Sequence, residues 1–295
     1  MSGTLYLVAT PIGNLEDITF RAIRILKEVD LIAAEDTRQT LKLLNYYEIN
    51  KPLISYHRHN EEVKQEVLIQ KLKEGQNIAL VSDAGTPVIS DPGEVIVKEA
   101  LKENIKVIPI PGACALINAL IASGLDTKEF SFYGFLSLNK KLRKEKLQEI
   151  RKENKTIILY EAPHKLTSTL KDLSEILEDR KIVVARELTK IHEEFLSGTA
   201  SEILENYKEP KGEHIILIEG SNIKEETEEQ KNIKGEIVII IEGKKIEEKE
   251  NELNNLRLEE HYKYYEKQGF TKNEIIKKIA KDKGVSKNEI YQMFI

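Results

Sequence analysis

Between residues 4 and 123 a short apolar run and an amphipathic stretch alternate five times, and this alternation limits the fold more than any other feature of the chain. The runs are TLYLVA, DLIAAE, PLISY, NIALV and IKVIPI, and helical spacing follows them near 19–28, 37–47, 61–74, 93–103 and 113–123. Runs this apolar suit strands buried on both faces. A parallel sheet covered by helices is therefore expected, with ligands at the carboxyl ends of its strands.

Beyond GLDTKEF the pattern changes to FSFYGFL, a charged helix (140–153), TIILYEA, a helix (165–178), KIVVARE, and EEFLSGT with a short helix. KGEHIILIEG (211–220) reads as a further α/β unit closing this region. A near copy, KGEIVIIIEGKK (234–245), follows a Glu-rich stretch and is either a local duplication or a second strand of the same sheet. The fold class expected is α/β, with an α/β domain over 1–125, a second over 126–245, and a charged linker with a small helical unit over 246–295. In that last part FTKNEIIKKIAKDKG and VSKNEIYQMF each carry a capping box, Thr271 with Glu274 and Ser286 with Glu289, and Gly269 and Gly284 stand where helices end. Residues 256–295 thus read as a three-helix unit of helix-turn-helix type. Its nine Lys/Arg against six Asp/Glu suit either a solvated cap or nucleic-acid contact.

Composition removes several classes. With 295 residues, 40% of them hydrophobic, the chain can bury a sizeable core, and a net charge of −5 argues against a wholesale nucleic-acid coat. No apolar run approaches the roughly 18 residues of a membrane span, and MSGTLYLVATPIG has neither the basic region nor the cleavage site of a leader; a cytoplasmic protein is expected. The single cysteine, Cys114, cannot form an internal disulfide and reads as a small buried filler; no Cys/His cluster has metal-ligand spacing, so no metal is expected. The first strand runs into ATPIGNLED instead of GxGxxG, and no P-loop is present, which argues against NAD, FAD and nucleoside triphosphates.

Four loops remain at the expected binding edge: ATPIGN, EDTR (35–38), SDAGTPVISDPG (82–93) and PGACA (111–115). Backbone bent by Gly and Pro approaches a ligand closely without long side chains, so these loops suit a medium-sized polar molecule lying against main chain. Asp83 and Asp91 either cap turns or bind a cationic group.

VATPIGNLEDITFRAIRIL, AEDTR, SYHRHNE, VSDAGTPVISDPG, IPGACALINALIASGL, LYEAPHKL, VARELTKIHEEFLSGT and KGEHIILIEG occur in this order over residues 4–220. Together they resemble the small-subunit ribosomal RNA methyltransferase I branch of the tetrapyrrole-methylase-like, class III methyltransferase superfamily. The resemblance implies a homodimer of two α/β domains with S-adenosylmethionine in the cleft between them. It also implies 2′-O-methylation of a decoding-centre cytidine in 16S ribosomal RNA of the 30S subunit. Motif by motif it assigns to the cofactor Pro11 and Gly13, then Gly85, Thr86 and Pro87 with Val88 and Ile89, then Ala113, Cys114 and Ala115, and from the second domain Tyr160, Glu213 and His214.

Methyl transfer to a ribose hydroxyl needs an in-line arrangement and an acceptor for the proton. Glu35, Asp36, His57, His59, Glu161 and His164 are the candidates; Asp36 is favoured with Glu35 beside it, although Asp36 reads equally well as the cap of the following helix. Arg38, His57, Arg58, His59, Arg186 and Lys190 are the candidate RNA contacts, since phosphate calls for cations. Three other readings stay open: a methyltransferase of this fold acting on a tetrapyrrole, one acting on a protein as in diphthamide synthesis, and a non-catalytic RNA-binding module.

Overall fold

The computed structural model describes residues 2–177, 179–207, 212, 214–221, 258–266, 270–282 and 290. The chain divides into two compact units, 1–226 and 227–295.

In the first unit, the five apolar runs form β1 (Thr4–Val8), β2 (Leu31–Ala34), β3 (Leu53–Ser55), β4 (Ile78–Val81) and β5 (Lys106–Ile110). Between and after them lie α1 (Phe20–Glu28), α2 (Thr37–Tyr46), α3 (Glu61–Lys73), α4 (Glu94–Lys102) and α5 (Ala115–Ala122). All pairings are parallel, in the order β3-β2-β4-β1-β5. Every residue of β2 and β4 is buried, as an unbroken apolar run demands when helices cover both faces. One face packs Leu5, Leu68, Leu72, Leu80 and Ile96; the other packs Val8, Leu26, Ile32, Leu44 and Ile110. Side-chain caps start α1 and α2: the Thr19 hydroxyl accepts from the Ala22 N–H at 3.1 Å, and Asp36 accepts from the Arg38 N–H at 2.8 Å. Because the strands are parallel, the loops after β1, β2, β4 and β5 emerge on one edge, as expected.

The second sheet holds β6 (Phe130–Phe135), β7 (Thr156–Glu161), β8 (Ile182–Arg186), β9 (Glu194–Gly198) and β10 (His214–Ile218), with α6 (Lys140–Lys152), α7 (Pro163–Leu177) and α8 (Ala200–Asn206). Its order is β6-β7-β10-β8-β9. KGEHIILIEG corrects the sequence reading here: β10 does not add a unit at the end but enters the middle of the sheet, antiparallel to both β7 and β8. All five of its residues are buried, which requires a partner on each edge and cover on each face. On one face α6, α7 and α8 pack through Ile150, Leu166, Leu170, Leu173 and Ile203. On the other, α5 of the first domain packs through Leu116, Ala119 and Leu120 against Ile158, Val183 and Leu217, joining the two sheets.

The second unit contains α9 (Leu258–Glu266) and α10 (Lys272–Asp282), whose described core is Tyr265, Ile275, Ile276, Ile279, Ala280 and Ile290. Half of the Thr271–Glu274 box forms: the Glu274 carboxylate accepts from the Thr271 N–H at 3.0 Å and its hydroxyl at 2.7 Å, while the Glu274 N–H goes to the Thr271 carbonyl at 2.9 Å instead of the hydroxyl. Lys278 lies over the rings of Phe270 and Tyr265, at 4.3 and 5.2 Å. The strand expected at 234–245, the Ser286–Glu289 box, Gly269 and Gly284 lie outside the described residues.

Candidate active site

The loops at the binding edge are tied to one another mainly by main-chain groups. Thr10 and Gly85 exchange two backbone hydrogen bonds, 2.9 and 3.0 Å, linking the ends of the central strands β1 and β4. The Ser82 hydroxyl donates to the Gly85 carbonyl at 3.2 Å, and the Thr86 hydroxyl to the Ala113 carbonyl at 3.0 Å. Asp83 accepts from the Asp36 N–H at 3.0 Å, and the Arg58 guanidinium donates to the Ser90 carbonyl. Five loops are thereby held in one arrangement.

The segment 85–93 needs its glycines and prolines because it turns repeatedly. Gly85 has φ +86°, and a Cβ there would lie 3.0 Å from Ile12 Cγ2; Gly93 has φ +136°, and a Cβ would lie 2.7 Å from Leu80 Cδ2. Between them Val88 and Ser90 also adopt left-handed backbone, at +77° and +67°. For a β-branched residue such a conformation costs about 1–3 kcal/mol and persists only where the surroundings enforce it. Here Val88 packs on the core beneath β4, and Arg58 holds Ser90.

These loops form one side of a cleft of about 460 Å³; the second sheet and the start of α5 form the rest. Of the cofactor residues assigned by resemblance, Gly85, Thr86, Ile89, Cys114, Ala115, Tyr160 and His214 line it. Pro11, Gly13, Pro87, Val88 and Ala113 do not. They shape its walls from behind: Ile12 reaches the cleft between the first two, Gly13 abuts the Lys190 side chain, and Ala113 accepts the Thr86 hydroxyl. Glu213 lies outside the described residues. Asp91, expected either to cap a turn or to bind a cationic group, also lines the cleft, as do Phe135 and Glu161. The sequence offers Glu161 only as a candidate base and Phe135 only as part of a strand.

The adjacent carboxylates of EDTR have opposite fates. Asp36 does not line the cleft; the Arg38 guanidinium grips it at 2.7 and 3.0 Å, and together with the Arg38 N–H holds its carboxyl at about 2. The capping reading of Asp36 is the one the geometry carries, and a carboxylate so well satisfied is a poor base. Glu35 does line the cleft, and burial, with the Asp83 charge beside it, raises its pKa. Asp91 is pushed up to about 6, chiefly by burial and next by Glu35, against the opposing pull of a Ser82 hydrogen bond and Arg58. Glu161 is 5% exposed and satisfied by the Thr169 hydroxyl at 2.5 Å and the Ala162 N–H at 2.9 Å, with Arg143 donating to Thr169 at 2.9 Å. His214, buried, meets the Tyr207 hydroxyl at 3.0 Å, and burial lowers its pKa.

The candidate RNA contacts separate into two groups. Arg38 pairs with Asp36, Arg186 with Glu194 at 3.2 Å, and Lys190 with Glu187 at 3.0 Å. His57, Arg58 and His59 share the loop after β3, where the His57 and His59 rings stand 6.0 Å apart and Asn60 holds the His57 N–H at 2.9 Å. Arg58 and this loop adjoin the cleft through Ser90, which lines it.

Residues 4–204 match the family described as tetrapyrrole (corrin/porphyrin) methylases. Among curated proteins, ribosomal RNA small subunit methyltransferase I of Halalkalibacterium halodurans is 50% identical over 294 residues, 99% of this chain and 94% of that one. The protein of the same name from Thermotoga maritima is 48% identical over 220 residues, 74% of this chain and 99% of that one. Among solved structures, a diphthine synthase superposes with a TM-score of 0.59 at 14% identity, covering 74% of this chain and 90% of that one. Uroporphyrin-III-C-methyltransferase from Thermus thermophilus superposes with a TM-score of 0.54 at 17% identity, covering 74% and 94%. No helix among the described residues is long and apolar enough to cross a membrane. With its two sheets joined through α5, a cleft at the strand ends and about half its residues identical to these relatives, the chain belongs to the tetrapyrrole methylase family, in its ribosomal RNA small subunit methyltransferase I branch.

Proposed function

We propose that this chain transfers a methyl group from S-adenosylmethionine to the ribose 2′-hydroxyl of a cytidine in the decoding centre of 16S ribosomal RNA. One observation carries the reading: identity of 50% along 99% of the chain with a protein named for ribosomal RNA, against 14–17% with same-fold proteins named for diphthine and uroporphyrin.

The cleft fits the cofactor in kind. Its volume, about 460 Å³, lies within the range of small-molecule sites, roughly 300–1,000 Å³. At Gly85, which lines it, the backbone has φ +86° and an added Cβ would crowd Ile12 at 3.0 Å, so glycine suits this part of the wall. When bound, S-adenosylmethionine supplies an electrophilic methyl group on sulfonium sulfur. Gly85, Thr86, Ile89, Cys114, Ala115, Tyr160 and His214 hold it, and Pro11, Gly13, Pro87, Val88 and Ala113 fix the loops that do so.

The ribose hydroxyl is a weak acid, and the groups that accept its proton are Glu35 and Asp91. Both line the cleft, and an acid near 6 is largely ionised at neutral pH while remaining a stronger base than an ordinary aspartate. Asp36 keeps the structural task of starting α2. His57, Arg58 and His59 contact phosphates beside the cleft. Arg38, Arg186 and Lys190 do so only by exchanging a carboxylate partner for phosphate. The basic segment 256–295, which contains α9 and α10, adds affinity for the 30S particle, and the protein works in the cytoplasm as a homodimer. The test is transfer of labelled methyl groups from S-adenosylmethionine to small ribosomal subunits and to free 16S RNA. Label in either that maps to a 2′-O-methylcytidine supports the reading. Label in neither, with the cofactor bound, overturns it in favour of a tetrapyrrole or protein substrate.

A further inference from the structure

We propose that Phe135 is the platform on which the base of the methylated nucleotide stacks, and that a bulge in β6 exists to aim it there; this rests on the RNA-methyltransferase reading above.

In a regular strand, residues three apart lie on opposite faces. Phe132 and Phe135 nonetheless both meet the ring of Tyr160, with centroids at 4.9 and 5.7 Å and interplanar angles of 69° and 62°. The reason is a register shift: Phe132 pairs with Ile158, but Gly134 pairs with Leu159 and Phe135 with Tyr160, so Tyr133 is an inserted residue. Such a bulge transfers everything after it to the other face, a device found beside active sites where a side chain must be re-aimed. Gly134 makes it feasible, with φ +61° and its α-carbon so close to the 85–93 loop that a Cβ would lie 3.3 Å from Ser90 Oγ.

The two rings end differently. Phe132 is packed into the cluster beneath α5, whereas Phe135 lines the cleft and is 57% exposed. A ring more than half open, backed by a second aromatic, stands in a cleft that also holds the carboxylates of Glu35 and Asp91. Unstacked RNA bases are held on aromatic rings of this kind. The site thus offers the base a face to lie on beside the two carboxylates that serve the ribose hydroxyl.

Phe135→Ala and Phe135→Trp distinguish this role from others. With small ribosomal subunits as substrate, Phe135→Ala should lower kcat/KM by roughly 5- to 150-fold, the usual worth of one base stack. Affinity for S-adenosylhomocysteine by calorimetry should not change, and Phe135→Trp should restore most of the loss, since an indole stacks at least as well. Equal kcat/KM in Phe135→Ala, an equivalent loss of S-adenosylhomocysteine affinity, or no rescue by Trp would each overturn the proposal. If the unaltered protein methylated no RNA, the reading beneath it would fail instead.

Discussion

Replacing Asp91 by Asn should make the protein more stable at neutral pH, and less so as the pH falls. In the native cleft burial and the Glu35 charge raise Asp91 from 3.8 to about 6, with Asp83 adding to the rise and Ser82 and Arg58 opposing it. Below about pH 4 the acid is protonated folded and unfolded, and contributes nothing. As pH rises from about 4 to 6, the unfolded chain releases the proton while the folded one keeps it, so stability is lost; above about 7 the whole cost is present. The rise from 3.8 to about 6 corresponds to roughly 3 kcal/mol. Asp91 is partly open to solvent, which halves this to about 1.5 kcal/mol. Asn cannot ionise and keeps hydrogen-bonding atoms beside the Ser82 hydroxyl. At 2–4 °C per kcal/mol, Asp91→Asn should therefore melt roughly 3–6 °C above the unaltered protein at pH 7.5, and about half as far above it at pH 5. Scanning calorimetry at the two pH values decides the matter. An unchanged or lower Tm at pH 7.5, or a gain of equal size at pH 5, would refute the argument. The stabilised variant should also lose methyl transfer while still binding S-adenosylhomocysteine, as expected of a group kept for its chemistry at a cost in stability.

Other substitutions read different parts of the site. Glu35→Gln should slow transfer about 10²-fold or more with cofactor affinity retained, whereas Asp36→Asn, which keeps an oxygen to cap α2, should leave single-turnover rates close to unaltered. Thr169→Val removes the hydroxyl that serves buried Glu161 and should cost about 1–3 kcal/mol in urea unfolding. Gly93→Ala must place a Cβ 2.7 Å from Leu80 Cδ2 at φ +136° and should cost more than about 1 kcal/mol, with weakened S-adenosylhomocysteine binding as the 85–93 loop shifts. Affinity for small subunits should fall steeply with salt, and the slope should flatten in Arg58→Gln.

The binding edge was legible in the sequence because five apolar runs alternating with helices leave few alternatives to a parallel sheet, and such a sheet gathers its loops on one side. The order of the second sheet was not. HIILI reads as a strand from its own residues, but its place between β7 and β8 is set by partners far along the chain, His214 pairing with Glu161 and Arg186 and Ile218 with Ile157 and Ile182, which no local pattern records. Within EDTR, both acids lie at a strand end; which of them faces the cleft depends on where Arg38 folds back, a matter of tertiary geometry. Phe135 is not legible from FSFYGFL, because the bulge that aims it is a pairing between strands and Gly134 is its only local trace.

The central claim is most directly tested by the identity of the methylated nucleoside. Small ribosomal subunits treated with S-adenosylmethionine and the protein, or with its Glu35→Gln and Asp91→Asn variants, would be digested to nucleosides and separated against standards. The account predicts 2′-O-methylcytidine, mapping to the decoding centre, in the first sample and its near absence in the other two. A base-methylated nucleoside, a different ribose, or undiminished product from both variants would contradict it.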